Sequence, residues 1–272
     1  MRHELNDALQ LLAITALILF LVQALARATT AALVGRFGWG AVPWTTGWLG
    51  VPVHEFAHLL ACWLTLRRVR QVRLFAPDKA SGVMGSVTFE PGTGPVAWLA
   101  ALLIGFAPLL LGTALLWLLG HLAAPIASPW PWIAEISLPI EALIAPAQHT
   151  MRVVQACATA TLSLWHQGTS SKIAAVSAWY FACCVAAHVT PSRADLRGTW
   201  RGGTLLVIAT VGAIFALEYF KIAAQLPLAR LLTLGCQTAL PALLLALLLL
   251  AVIRTLIIPF GLLPGFHPKS RA

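Results

Sequence analysis

Charge is what this 272-residue sequence has least of. Asp, Glu, Lys and Arg together make up 10% of it, and only nine residues are acidic. A soluble domain carries about 25% charged residues, so a soluble globular enzyme is excluded. Cysteine is also sparse. Cys62, Cys157, Cys183, Cys184 and Cys236 fall mostly within apolar runs and show no paired spacing, which argues against a disulfide framework. No repeat of solenoid period and no low-complexity tail is present. Nor is any basic run interleaved with aromatics, as single-strand nucleic-acid binders require, so the net charge of +9 does not indicate nucleic acid. Disorder and collagen-like fibres are excluded by the 59% hydrophobic content.

Long apolar runs fill the chain instead, and the mean hydropathy is +0.84. A membrane span needs about 20 apolar residues, and six runs qualify, at about 8–26, 46–66, 95–124, 172–189, 203–220 and 231–253. The expected fold is an all-α polytopic membrane protein, one membrane domain over 1–272 with about six transmembrane helices. The first run is expected to stay as a helix although Ala24-Leu25-Ala26 resembles a signal-peptide cleavage site. It is long enough to span, and Glu4 and Asp7 stand beside Arg2 before it. The third run is long enough to tilt or to break near Pro108. With the N-terminus inside and six alternating spans, twelve of the 18 Lys and Arg residues fall inside and six outside. That asymmetry predicts both termini in the cytoplasm, and the expected location is the cytoplasmic membrane of a bacterium.

Two stretches break the helical pattern. Residues 69–91 read as strand, turn, strand: Val72-Arg73-Leu74-Phe75, turn residues around Pro77-Asp78 and Ser81-Gly82, then Val87-Thr88-Phe89. This predicts a small β-hairpin at the cytoplasmic face. Residues 128–150, with Trp130, Trp132 and several prolines, read as an outer interfacial segment whose tryptophans lie at headgroup level.

One motif carries chemistry. His54-Glu55-Phe56-Ala57-His58 lies in the second apolar run, after Gly50 and Pro52. On a helix, positions i and i+4 share a face, so both imidazoles can hold one metal ion, and Glu55 beside them can take a proton from a water that the metal activates. An ionisable group there costs a few kcal/mol or more. A polar cluster bonding between helices would account for one histidine but not for two at this spacing with a carboxylate. Catalytic zinc usually takes three protein ligands, and three acidic residues lie near the spans. Glu218 has Lys221 three residues on, and Glu90 sits in the hairpin. Asp195 remains, at the inner end of the fourth run in His188-Val-Thr-Pro191-Ser-Arg-Ala-Asp195; helix capping or pairing with Arg193 or Arg197 is the ordinary role of such an aspartate.

The intramembrane His-Glu-x-x-His helix followed by a Pro-x-x-x-Asp segment resembles the site-2 protease family of intramembrane zinc metalloproteases, over roughly residues 46–200. The resemblance implies His54, His58 and Asp195 as ligands of one catalytic zinc ion and Glu55 as general base. It also implies a β-hairpin between the motif helix and the next span, the slot that 69–91 occupies. His188 holds the place of an asparagine that the family often has, which implies a role in orienting substrate or stabilising the oxyanion; a satisfied interhelical hydrogen bond is the alternative. The Pro-to-Asp spacing is one residue shorter than the family's, glycine follows only at Gly198, and no insert is long enough for a PDZ domain.

The expected function is a zinc-dependent endopeptidase of the membrane. It would cut a peptide bond in or near a transmembrane segment of a substrate membrane protein, with the lipid bilayer as its surroundings and no nucleic-acid partner. The alternatives are a metal-binding or metal-transporting membrane protein, and a catalytically inactive subunit of a membrane complex. A transporter should offer more than one polar station along its spans.

Overall fold

The computed structural model describes residues 2–123, 169–219 and 227–257, together with the single positions 151, 155 and 159. The predicted outer segment at 128–150 lies outside the described residues. The described residues are mostly helical, with one two-stranded sheet among them.

Helix α1 covers Arg2–Phe37 and stops at Gly38, whose φ of +81° suits a residue without a Cβ and whose amide closes the last turn on Val34 O at 2.9 Å. A π-helical turn, Pro43–Gly47, leads directly into α2, Trp48–Leu64. The hairpin follows, β1 at Val69–Arg73 and β2 at Ser86–Phe89, antiparallel, with Val72 opposite Val87 and a bulge between Val69 and Gln71. Its tip is a side-chain-built turn. Asp78 accepts from the Ser81 hydroxyl at 2.6 Å and the Ala80 amide at 3.0 Å, and these bonds hold its carboxyl below the ordinary range.

Helix α3, Pro95–Ala123, continues through Pro108 rather than breaking there. Then come α4, Thr169–His188; the short α5, Arg193–Leu196; α6, Thr199–Tyr219; and α7, Pro227–Ile257. Among the described residues, three helical stretches are long and apolar enough to cross a membrane: Leu12–Phe37, Pro95–Leu116 and Thr169–His188. At 17 residues, α2 is shorter than a full span. The apolar stretch of α7, Ala242–Leu256, is shorter still.

Packing contacts give the direction of each helix, and they revise the expected alternation of six spans. Gly92, just before α3, lies against Arg67 just after α2, and α3 then runs back antiparallel to α2. Descending the other way along α3, Val189 meets Gly112, the Asp195 carbonyl meets Gly105, and Gly202 meets the Trp98 carbonyl. Residues 180–202 are therefore one descending path, interrupted at 189–192, so α4 and α6 run in the same direction and are not two opposed crossings. The core explains the rest. Leu240, Leu243, Ala246 and Leu250 of α7 share a cluster with Ile18, Val22 and Ala26 of α1, with Leu116, Val185 and Val189 closing it. Further along, Arg254 Nη1 donates to Ala28 O at 2.9 Å and Ile253 packs beside Leu33. Helices α1 and α7 are thus parallel. The described helices make five alternating passes, with the start of α1 and the end of α7 at opposite ends of the bundle. The expectation of both termini on one face rested on six alternating spans, and this packing removes that basis.

The hairpin is present, but it does not stand beyond the end of α2. Val69, Val87 and Phe89 pack on Ala57, Ala61 and Cys62; Gly85 sits on Val51 and Glu55; Met84 reaches Val42; and Phe75 meets Trp44 edge-on, centroids 5.8 Å apart. The two strands and their loop run back along α2 to its N-terminal end.

Candidate metal centre

Helix α2 delivers three side chains to one place. His54 and His58, one turn apart, turn their Nε2 atoms toward each other at 3.3 Å. Asp195 arrives from the broken path, with Oδ2 3.3 Å from His54 Nε2 and Oδ1 3.1 Å from His58 Nε2. One ligand atom from each residue lies within 4.8 Å of the others, so this group could hold a metal ion. The aspartate is at the same time the helix cap that a loop aspartate commonly is. The Ser192 amide donates to its Oδ2 at 2.6 Å, and its own amide donates to Ser192 Oγ at 3.2 Å. Capping fixes the rotamer that faces the imidazoles.

The other ring nitrogens decide the chemistry. His54 Nδ1 lies 2.8 Å from His188 O, and His58 Nδ1 lies 2.9 Å from Ile104 O. A carbonyl only accepts, so each Nδ1 carries the proton and each neutral ring presents a bare lone pair at Nε2. Two lone pairs and a carboxylate then converge with no donor among them. Such a group is stable around a cation, either a proton on one ring or a metal ion, and repels itself otherwise. Nitrogen, nitrogen and carboxylate oxygen, each imidazole held from behind by a carbonyl, is a donor set that suits zinc.

Glu55 projects beside this cluster from the next position on α2. It is buried at 8% exposure, its Cγ lies 2.7 Å from where a Cβ on Gly85 would stand, and the backbone amide of Val87 acts on its carboxylate. Strand β2 therefore forms one wall of the site, and only a glycine lets it come so close.

His188, the last residue of α4, contributes through its backbone. Its carbonyl is free to take the His54 proton because the Ser192 amide is turned to Asp195. Its ring goes elsewhere, with Nε2 3.2 Å from Thr46 Oγ1 of the π-helical turn, a bond between helices. A hydrogen-bonded trio supports the same seam, in which Trp48 Nε1 donates to Tyr180 Oη at 2.8 Å and the Tyr180 hydroxyl donates to Thr45 O. Glu90, the other acidic candidate described, pairs with exposed Arg70 at 3.4 Å. The side chain of Glu218 lies outside the described residues. Cys62 is buried among Ala57, Ala61, Ile104 and Ala107 and is not part of the metal group.

The sequence reading passed over Gln23, near the end of the first apolar run. Its Nε2 donates to Pro191 O at 3.2 Å, in the break four residues before Asp195. A lone amide within a 26-residue apolar stretch was the available signal. The carbonyls of Ile104 and His188 had none, because every residue carries one.

No family model, no curated protein and no solved structure matches this chain.

Proposed function

We propose that the chain is an intramembrane zinc metalloprotease of the site-2 protease kind, hydrolysing a peptide bond in or near a transmembrane segment of another membrane protein. The observation that carries this reading is the acceptor-only convergence of His54, His58 and Asp195, with the buried Glu55 carboxylate one position along the same helix. Zinc, when bound, supplies Lewis acidity that activates water and polarises the scissile carbonyl. Glu55 takes the proton of the attacking water and passes it to the departing amine nitrogen. Asp195, His54 and His58 would hold the ion, and the Ile104 and His188 carbonyls hold the two rings in the tautomer that leaves Nε2 free. Strand β1 is exposed at four of its five residues, an edge on which an unwound substrate segment can add as a strand.

The test is hydrolysis by the purified full chain in liposomes containing a library of single-span membrane segments, with products read by mass spectrometry. Glu55→Gln should remove cleavage while leaving zinc bound, since loss of a general base costs about 10²–10⁴ in rate. Cleavage that survives the substitution would place the base elsewhere. Metal uptake without cleavage, coupled to ion flux across the bilayer, would favour a carrier.

A further inference from the structure

A proline has no N–H, so in a helix it leaves the carbonyl four residues back without its intrahelical donor. Pro108 lies inside α3, fully buried, and the carbonyl it frees is that of Ile104. In lipid such a group must find another partner. The partner is His58 Nδ1, at 2.9 Å. The arrangement fits the metal centre closely: the one carbonyl on this turn of α3 that lacks a helical donor is the one that a ligand imidazole uses.

We propose that Pro108 is a positioning residue for the metal centre. It keeps the Ile104 carbonyl open to His58, and so keeps the His58 lone pair on Nε2, facing His54 and Asp195. The inference rests on the metal reading above and reaches further, because it assigns a role to a residue of another helix that is not one of the three ligands. It also gives a reason for a proline where a straight apolar helix would do without one.

The consequence separates this role from a packing role. Any other residue at 108 restores an amide that competes for Ile104 O, whatever the size of its side chain. Alanine is smaller than proline and valine is larger, so a packing effect would differ between them, whereas the regained N–H is common to both.

The experiment uses the full chain in detergent, stripped of metal and titrated with Co²⁺ against a chromophoric chelator. Pro108→Ala and Pro108→Val should each lower Co²⁺ affinity about 10- to 100-fold, the range for loss of a ligand's hydrogen-bond partner, while the apo protein keeps its helical circular dichroism. In the metal-free wild type, ¹⁵N spectra of labelled histidine should show His58 protonated at Nδ1, and both variants should shift it toward a tautomer mixture. Unchanged affinity in both variants, or a loss confined to alanine, would overturn the proposal. A wild type that binds no cobalt would overturn the metal reading; the nitrogen spectra would still decide the Pro108–His58 relation, with an unaltered tautomer in both variants refuting it.

Discussion

Gly105→Ala tests how tightly Asp195 is placed against the two imidazoles. Gly105 follows Ile104, so one peptide unit of α3 offers its oxygen to His58 and its Cα to the segment that carries Asp195. A Cβ there would stand 2.2 Å from Thr199 Cγ2 and 2.7 Å from Asp195 O. These fall short of the 3.4 Å at which ordinary contact begins by 1.2 Å and 0.7 Å. Thr199 cannot simply rotate its methyl away, because its hydroxyl is bonded to Leu196 O at 2.8 Å. The relief must come from movement of the Asp195 backbone, by more than the ~0.2 Å tolerance on a metal–ligand distance. In stability part of the cost cancels, with overpacking costing about 1–3 kcal/mol and the helix gaining about 1 kcal/mol on replacing glycine by alanine, a net loss of up to about 2 kcal/mol. In metal binding it does not cancel. Co²⁺ affinity, measured by chelator competition, should fall by about tenfold or more. Gly203→Ala is the control, since nothing lies within 4 Å of its Cβ position. That variant should bind as the wild type does and be more stable by about 0.5–1 kcal/mol. Undiminished affinity in Gly105→Ala, or an equal loss in Gly203→Ala, would refute the packing argument.

Further outcomes follow from the same contacts. Thr46→Val removes the bond to the His188 ring and should lower thermal stability in detergent by about 1 kcal/mol, with Co²⁺ affinity unchanged because His54 uses the His188 carbonyl; a parallel loss of affinity would contradict this. Gln23→Met leaves the Pro191 carbonyl unsatisfied within an apolar bundle and should cost about 1–3 kcal/mol, read as a lowered melting temperature that a silent substitution would not give. Removing metal with a chelator should lower the melting temperature, and readdition should restore it, since an ion at 100 times its dissociation constant stabilises the folded state by about 2.7 kcal/mol; a melting temperature indifferent to metal would argue against a site formed only in the folded chain.

The local features of this molecule were legible in the sequence, and its directions were not. The run after Pro95 and the hairpin after Val69 could be read because hydropathy and turn residues are local signals. Whether α4 and α6 oppose each other depends on where Gly105, Gly112 and Gly202 let backbones meet, which no window of hydropathy reports. The parallel course of α1 and α7 likewise follows from packing between segments more than 200 residues apart. At the site, the two histidines announced themselves by spacing, and the structure brings Asp195 to them although its proline spacing departs from the family's pattern. What stayed hidden was the backbone: the carbonyls behind His54 and His58, the glycine that brings β2 onto Glu55, and the amide of Gln23 that ties down the break.

X-ray absorption at the zinc K-edge of the purified, reconstituted chain tests the central claim most directly. The account predicts one zinc per chain with two imidazole nitrogens and carboxylate oxygen at about 2.0–2.2 Å. A preparation without stoichiometric metal, or a sulfur scatterer near 2.3 Å, the zinc–thiolate distance, would contradict it.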